Sequence, residues 1–251
     1  SRHSAESDVG RLNSAAGSAE RIRISDATAA VLLAALDWAA RSDGSFDPCV
    51  GRAAAAWDPR THSSPPSPVA LRGLAGGTLW RSLDVDRHAG CHVARLTERV
   101  ASVDLGGIAK GYAVDRAAQA LRSLGIDDGL VNAGGDLFAL GRSADGDPWR
   151  VGIRDPRDPS ALSATLALED AAVATSGDYE NAFSHAGRTY HHILDPRTAA
   201  PRQATTHSLT IQADNCITAD AAATALFGAA PGSPGVRRTL RGTGATIVGT
   251  A

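Results

Sequence analysis

The strongest hydrophobic pattern of the N-terminal part lies at residues 28–41, TAAVLLAALDWAAR, where alanine and leucine dominate. High helix propensity over this length, followed by the turn-forming SDGSFDP, predicts a helix. Residues 58–68, DPRTHSSPPSP, contain four prolines and are predicted to form an irregular surface connection. From Thr78 to Val103, alternation of polar and apolar residues in RSLDVD and CHVARL predicts short antiparallel strands.

The second half of the chain combines further strand patterns with one alanine-rich helix pattern. Strands are predicted in GLVNAGGDLFALG (129–141), PWRVGIRDP (148–156), SATLALEDAAVATSGDYE (163–180, with a loop beginning near Thr175) and HSLTIQA (207–213). The segment ITADAAATALFGAA (217–230) predicts a helix. Together these patterns predict an α+β fold, a single compact domain with a mostly antiparallel sheet core and flanking helices.

One glycine-rich segment, DLGGIAKGYAVDRA at residues 104–117, combines features of a ligand-binding turn. Residues 103–105 are predicted to end a strand, the two glycines to form a tight turn, and residues 112–124 to form a helix. A helix N-terminus favours anions, and Lys110 adds a positive charge, so a phosphate-bearing ligand is one interpretation. The other interpretation is an ordinary connection with a solvated lysine.

Composition and charge exclude several partner classes. The chain has 251 residues, 43% of them hydrophobic, which is enough for a large core in one domain or two small ones. A formal net charge of −2 makes nucleic acid and anionic membrane surfaces poor partners. No apolar run approaches the roughly 18 residues of a membrane span, and the abrupt start at Ser1 is typical of a processed or trimmed chain. The widely spaced cysteines predict neither a disulfide framework nor a zinc site.

Asp220 and Thr224 lie four residues apart in a predicted helix and therefore share one face. A carboxylate and a hydroxyl oxygen suit a hard cation such as Mg²⁺, with a backbone carbonyl, waters and phosphates completing the shell. The alternative is structural: Asp220 would cap the helix or lie in its first turn, and Thr224 would bond back to a carbonyl.

Two further polar segments are open to a functional or a structural interpretation. His192 precedes ILDP in an extended segment, where it could be a general base, a ligand-positioning residue or a structural histidine. NAGGD at residues 132–136 predicts a hairpin or bulge with an acidic tip.

Taken together and in order, these segments resemble the ApbE family, the FAD:protein FMN transferases. The matching segments are SRHSAESDVGRLN (1–13), SFDPCVG, DLGGIAKGYAVDRA, VNAGGDLFALG, VATSGDYE, HHILDPRT and ADAAATALF. The resemblance implies a T-fold-like domain over residues 1–251 that binds FAD and Mg²⁺. It implies transfer of the FMN half of FAD to a Thr or Ser hydroxyl of an acceptor protein, with release of AMP. An FAD pyrophosphatase and a non-catalytic flavin-binding protein are the alternatives.

The resemblance also implies roles for individual residues. The Mg²⁺ ligands would be the backbone carbonyl of Gly107 and the side chains of Asp220 and Thr224. The FAD contacts would be His3, Ser45, Phe46, Asp47, Asp104, Lys110 and Leu194. His192 would activate the acceptor hydroxyl, while Lys110 and the cation held by Asp220 would stabilise negative charge on the transferring phosphate.

The chain departs from the family pattern at three places. A Met-Gly-Thr strand usually precedes the region where this chain starts, and we expect it to be missing here. His3 stands where the family favours an aromatic residue, and Ala199 stands where the family usually has glycine, the residue that tolerates positive φ. Many relatives are exported and membrane-tethered in bacteria and others are cytoplasmic, so the resemblance does not assign a compartment, an acceptor or an oligomeric state.

Overall fold

The computed structural model describes residues 1–158 and 160–251. The chain forms two compact units, each built from two segments. The first unit comprises residues 1–105 and 180–202, and the second comprises residues 106–179 and 203–251. No helix within the described ranges is long and apolar enough to cross a membrane.

Helices and strands are distributed over the whole chain. The helices are α1 Asp8–Ser14, α2 Asp26–Arg41, α3 Gly51–Ala56, α4 Pro68–Arg72, α5 Ala109–Ser123, α6 Cys216–Leu226 and α7 Pro234–Leu240, with a 3-10 helix at Leu79–Ser82. The strands are β1 Ile22–Ile24, β2 Leu83–His88, β3 Cys91–Leu96, β4 Gly129–Ala133, β5 Asp136–Leu140, β6 Trp149–Arg154, β7 Leu162–Leu168, β8 Ala171–Gly177, β9 Ala182–His185, β10 Arg188–His191, β11 Leu194–Asp195, β12 Ala200–Pro201, β13 Ser208–Ala213 and β14 Thr246–Thr250.

The first unit is built on a three-stranded antiparallel sheet in the order β1-β3-β2. Helix α2, predicted over 28–41, begins at Asp26 because the Ser25 hydroxyl caps it by accepting from Thr28 N at 3.2 Å. Leu12 and Leu32 from the helices pack with Leu96 of β3 in one buried cluster. The predicted strands between Thr78 and Val103 are confirmed by β2 and β3.

An aromatic cluster connects the two chain segments of the first unit. The Trp57 ring stacks on Tyr190 at 5.3 Å between centroids, and Tyr190 stacks on Phe183 at 5.4 Å, which fixes the β9-β10 hairpin. Trp57 Nε1 also donates to the carbonyl of Ala199 at 2.8 Å. Ala199 is buried with a φ of 54°, so the residue that replaces the family's glycine does adopt the left-handed conformation.

The second unit contains a five-stranded sheet in the order β14-β13-β8-β5-β4, with every pair antiparallel. Helices α5 and α6 pack together and against this sheet through Val114, Phe138 and Cys216. A methyl group at Gly111 would lie 2.3 Å from the Cys216 carbonyl oxygen, so glycine is required for the close approach of the helices. The α+β class with antiparallel sheets and flanking helices is therefore confirmed.

The structure corrects three details of the sequence-based interpretation. Residues 103–105 do not end a strand. Ser102 makes a single parallel bridge to Val50, and among the described residues no strand pairs with 103–105. Helix α5 begins at Ala109 rather than at residue 112. The prediction started too late because Lys110 and Gly111 interrupt the apolar pattern, although neither residue breaks the helix. Strand β8 continues to Gly177, past the predicted loop start at Thr175, because pairing with β13 continues to that residue.

Candidate active site

The glycine turn of the second unit leads directly into α5. Gly106 and Gly107 lie in the turn, and Lys110 lies in the first turn of the helix. A methyl group at Gly107 would lie 2.7 Å from Thr224 Oγ1 and 2.8 Å from its Cγ2. Only glycine therefore leaves room for the Thr224 side chain against this turn.

Asp220 lies inside α6, one helical turn before Thr224, so the predicted common face is present. Its side chain is 5% exposed, and its Oδ2 accepts from Gly111 N at 3.0 Å. The interpretation of Asp220 as a cap or first-turn acid is wrong, because Asn215 caps the helix by accepting from Thr218 N at 3.0 Å. The carboxylate instead turns toward the start of α5.

The NAGGD segment forms the predicted hairpin, but its acidic residue is not an exposed tip. Gly134 and Gly135 form the two-residue turn between β4 and β5, both with positive φ. Asp136 is 1% exposed, and its Oδ2 accepts a short hydrogen bond from Lys110 Nζ. Asp136 is buried because β5 is an inner strand, paired with β4 and β8, and α5 with its Lys110 packs against it.

Lys110 therefore connects two buried carboxylates. Its Nζ bonds to Asp136 and lies 3.7 Å from Asp220 Oδ1. The side chain is 48% exposed, yet its ammonium group is paired, which excludes the alternative of a simply solvated lysine. One positive charge faces two acidic groups in this cluster, which we call the Lys110 cluster (Lys110, Asp136 and Asp220).

The electrostatics of the Lys110 cluster follow from burial and from this charge imbalance. The pKa of Asp220 is raised to about 7, mainly by burial. The Asp136 carboxyl contributes to the rise, while Lys110 and the Gly111 N–H oppose it. Burial acts to lower the pKa of Lys110, but the nearby carboxyls of Asp220 and Asp136 outweigh it and raise that pKa. The lysine is therefore cationic, and the cluster carries an acidic group that can bind a further cation.

The donor set predicted for Mg²⁺ is chemically suitable. Asp220, Thr224 and the Gly107 carbonyl all lie in the second unit and offer oxygen ligands, the type that Mg²⁺ prefers. Within residues 1–158 and 160–251, no three His, Cys, Asp or Glu side chains are grouped so that they could hold a metal. The predicted set contains only one such side chain, so waters and phosphate oxygens would have to complete the shell.

In the first unit, three of the predicted FAD contacts lie in one buried segment. Asp47 is 6% exposed and accepts from Cys49 N at 2.8 Å and from Trp80 N at 3.2 Å. Burial raises its pKa to about 6, although these backbone hydrogen bonds act to lower it. Phe46 is also buried, and Ser45 is half-buried beside it.

Arg202 joins this segment to another predicted contact, Leu194. The Arg202 guanidinium donates to the Ser45 carbonyl through a short hydrogen bond and to the Leu194 carbonyl at 3.1 Å. Burial lowers the pKa of Arg202 to about 10, although Asp195 acts to raise it. Sequence reasoning missed Arg202, because an arginine after a proline in a polar stretch carries no local signal of burial.

The remaining predicted contacts of the first unit, His3 and Asp104, lie in an ion-pair network. Arg2 Nε lies 2.7 Å from Asp104 Oδ2, and another nitrogen of Arg2 lies 3.5 Å from Asp58. Arg60 binds Asp58 with both sides of its guanidinium and lies 3.4 Å from His3 Nε2. Hydrogen bonding to Arg60 is the main reason that the pKa of Asp58 falls well below its usual range.

The two adjacent histidines at the end of β10 differ in environment. His191 is buried, its Nδ1 accepts from Ile193 N at 3.2 Å and its Nε2 lies 3.0 Å from the Arg202 carbonyl. His192 is exposed, with Nδ1 3.1 Å from the Glu180 carbonyl. Because a carbonyl only accepts, we assign the proton of neutral His192 to Nδ1 and the basic lone pair to Nε2.

Asp136 is the acidic residue of the Lys110 cluster that sequence reasoning did not name as a site residue. The signal was present, because NAGGD places a carboxylate directly after a tight turn. Its partner Lys110 is 26 residues earlier, and only the pairing of β4 and β5 beside α5 brings them together.

Comparison with known proteins identifies the family of this chain. The sequence model of the ApbE family matches residues 1–237. The chain is 37% identical over 229 residues to the FAD:protein FMN transferase of Rhodobacter capsulatus, and the match covers 88% of this chain and 42% of that protein. It is 35% identical over 235 residues to the FAD:protein FMN transferase of Treponema pallidum, covering 88% of this chain and 65% of that protein. The chain thus spans less than two thirds of the length of either relative.

A solved structure has the same fold. The crystal structure of the ApbE protein from Thermotoga maritima matches with a TM-score of 0.82 and 34% identity, over 96% of this chain and 78% of that one. The ordered motifs, the antiparallel architecture and these matches agree, and the chain belongs to the ApbE family.

Proposed function

We propose that this protein transfers FMN from FAD to a Thr or Ser hydroxyl of an acceptor protein, with release of AMP, in a reaction that requires Mg²⁺. The observation that carries the proposal is the Lys110 cluster beside Thr224 and the glycine turn. It combines a cationic lysine with hard oxygen donors at a helix N-terminus, a combination suited to a pyrophosphate and its metal ion. The names of the two relatives, FAD:protein FMN transferase, support the same reaction.

The proposed reaction is a phosphoryl transfer. The acceptor oxygen forms a bond to the FMN phosphorus, the bond from that phosphorus to the bridging oxygen of the pyrophosphate breaks, and AMP leaves with the bridging oxygen. The hydroxyl proton passes to Nε2 of His192, the nitrogen that carries the lone pair when Nδ1 donates to the Glu180 carbonyl. The products are an FMN phosphoester on the acceptor and AMP.

We assign stabilisation of the negative charge on the phosphates to residues of the second unit. Lys110 would bind phosphate oxygens, since its ammonium is at the start of α5 and its side chain is half exposed. Gly107, Asp220 and Thr224 would hold Mg²⁺, which when bound neutralises phosphate charge. The Gly111 N–H orients the Asp220 carboxylate at 3.0 Å.

Flavin binding is assigned to the predicted contacts of the first unit. Phe46 and Leu194 have little exposed surface, so they would contact FAD through their backbone groups. Arg202 would fix the relative position of these segments through the Ser45 and Leu194 carbonyls. Asp104 and His3 would contact FAD at the ion-pair network around Asp58.

A chromatographic assay tests the proposal. Purified protein is incubated with FAD, with and without Mg²⁺ and with and without an acceptor domain, and Asp220→Asn is assayed in parallel. We expect AMP release that needs Mg²⁺, rises with acceptor and is lost in the variant. FMN and AMP formed at the same rate without acceptor would indicate a pyrophosphatase instead. FAD that stays intact while it elutes with the protein would indicate a flavin-binding protein.

A further inference from the structure

Asp136 has no role in the proposed reaction, although it is the least exposed residue of the Lys110 cluster. It is 1% exposed, and the ammonium of Lys110 donates a hydrogen bond to it. Burying a carboxylate costs free energy that its pairing returns only in part, so the acidic group at this position needs an explanation. Packing does not supply one, since an amide or an apolar side chain would fill the position without the charge.

The arrangement of distances suggests what the charge does. Lys110 Nζ is bonded to Asp136 Oδ2 and is 3.7 Å from Asp220 Oδ1. The ammonium is therefore within a short side-chain movement of either carboxylate, and lysine has a flexible four-carbon stem. Asp220 is also the carboxylate assigned to Mg²⁺, so Lys110 and the metal ion compete for it.

We propose that Asp136 is a positioning residue that holds the Lys110 ammonium away from Asp220 and so keeps the Asp220 carboxylate available to a divalent cation. The proposal rests on the Mg²⁺ site of the proposed function. Asp136 accepts the hydrogen bond of the Lys110 ammonium, which therefore stays 3.7 Å from Asp220 Oδ1 and leaves that oxygen to the metal ion. With an amide at position 136, Asp220 is the remaining counter-charge for Lys110 in the cluster, and the metal ion must displace an ion pair.

The test measures binding of Mn²⁺ alone to the full chain, by the electron paramagnetic resonance signal of free Mn²⁺. We expect Asp136→Asn to weaken Mn²⁺ binding at least about tenfold, which corresponds to about 1.4 kcal/mol. Glu169→Gln is the matched control, because it removes one acidic charge from the same unit at an exposed ion pair with Arg142. The control should bind Mn²⁺ as the unchanged protein does.

Two variants at Lys110 separate positioning from a merely structural role. Lys110→Met removes the competitor, so Mn²⁺ binding should be at least as tight as in the unchanged protein. The double variant Lys110→Met/Asp136→Asn should recover most of the affinity lost in Asp136→Asn. Equal weakening in Asp136→Asn and in the double variant would overturn the proposal, as would an unchanged affinity in Asp136→Asn. If Asp136→Asn did not fold, judged by circular dichroism, weakened Mn²⁺ binding in Lys110→Met would overturn it.

Asp220→Asn distinguishes failure of this inference from failure of the proposed function. If that variant binds Mn²⁺ as the unchanged protein does, Asp220 is not a ligand and both fall. If Asp220→Asn abolishes binding while Asp136→Asn leaves it unchanged, only the role of Asp136 falls. If the Mn²⁺ pattern is as expected but no AMP is released from FAD, the role of Asp136 stands and the transferase reaction falls.

Discussion

Gly107→Ala tests the contact between the glycine turn and Thr224. The added methyl would lie 2.7 Å from Thr224 Oγ1, 2.8 Å from Cγ2 and 3.1 Å from Cβ. Gly107 does not have positive φ, so the backbone tolerates alanine and the effect arises from this contact alone. The neighbours of Thr224 in α6, Ala223 and Ala225, are buried, so the threonine cannot move away with its backbone.

The magnitude follows from these distances. Overpacking of this kind costs about 1–3 kcal/mol, and reduced freedom of the unfolded chain returns about 0.4–1 kcal/mol on replacing glycine by alanine. We therefore expect Gly107→Ala to lower the free energy of unfolding by about 1–2 kcal/mol. Thr224→Ala removes the two closest atoms, so the effect of the alanine at position 107 should nearly disappear in that background.

Urea unfolding followed by circular dichroism measures the four proteins of this cycle. The FAD assay adds a second readout, because both single variants and the double variant should lose Mg²⁺-dependent AMP release even where stability recovers. Additive effects of the two substitutions on the free energy of unfolding would refute the reasoning, since they would show that Thr224 does not lie against Gly107.

Three other predictions concern separate parts of the chain. Burial raises the pKa of Asp47 from its usual 3.8 to about 6, so the folded state binds this proton more tightly than the unfolded state. The free energy of unfolding should therefore fall by about 2 kcal/mol between pH 4 and pH 7. Asp47→Asn should lack this fall in urea unfolding, and the same pH dependence in both proteins would contradict the prediction. Gly111→Ala places a methyl 2.3 Å from the Cys216 carbonyl oxygen and should lower the free energy of unfolding by about 3 kcal/mol. Thermal unfolding measures this, and a midpoint close to that of the unchanged protein would disprove the prediction. His192→Gln should slow FMN transfer by about 10²–10⁴ with FAD affinity kept, as measured in single-turnover assays, and a loss below about tenfold would rule out His192 as the general base.

Sequence patterns were informative where an element is defined by its own residues. The periodicity of 28–41 marks α2, and the alternation in RSLDVD and CHVARL marks β2 and β3. The spacing of Asp220 and Thr224 correctly placed both on one helical face. The strand end predicted at residues 103–105 was wrong, because residues with strand propensity form a strand only where another strand pairs with them.

The rest of the candidate site depends on contacts between residues far apart in the chain. NAGGD predicts a hairpin locally, but Asp136 is buried because β5 is an inner strand between β4 and β8 and α5 packs against it. Its pairing with Lys110 depends on where α5 packs, which no local pattern contains. Arg202 is a similar case, since its hydrogen bond to Ser45 spans 157 residues. Short elements such as α1 and α3 were also missed, because six or seven residues give too few repeats for a periodicity.

The most direct test of the central claim is the intact mass of an acceptor domain after incubation with this protein, FAD and Mg²⁺. The account predicts a mass gain of one FMN less one water, located on a Thr or Ser, with an equal amount of AMP released. The gain should be absent without Mg²⁺ and with Asp220→Asn. The account would be contradicted if this protein left the mass of the acceptor unchanged while a known flavin transferase, used as a positive control, modified the same acceptor under the same conditions.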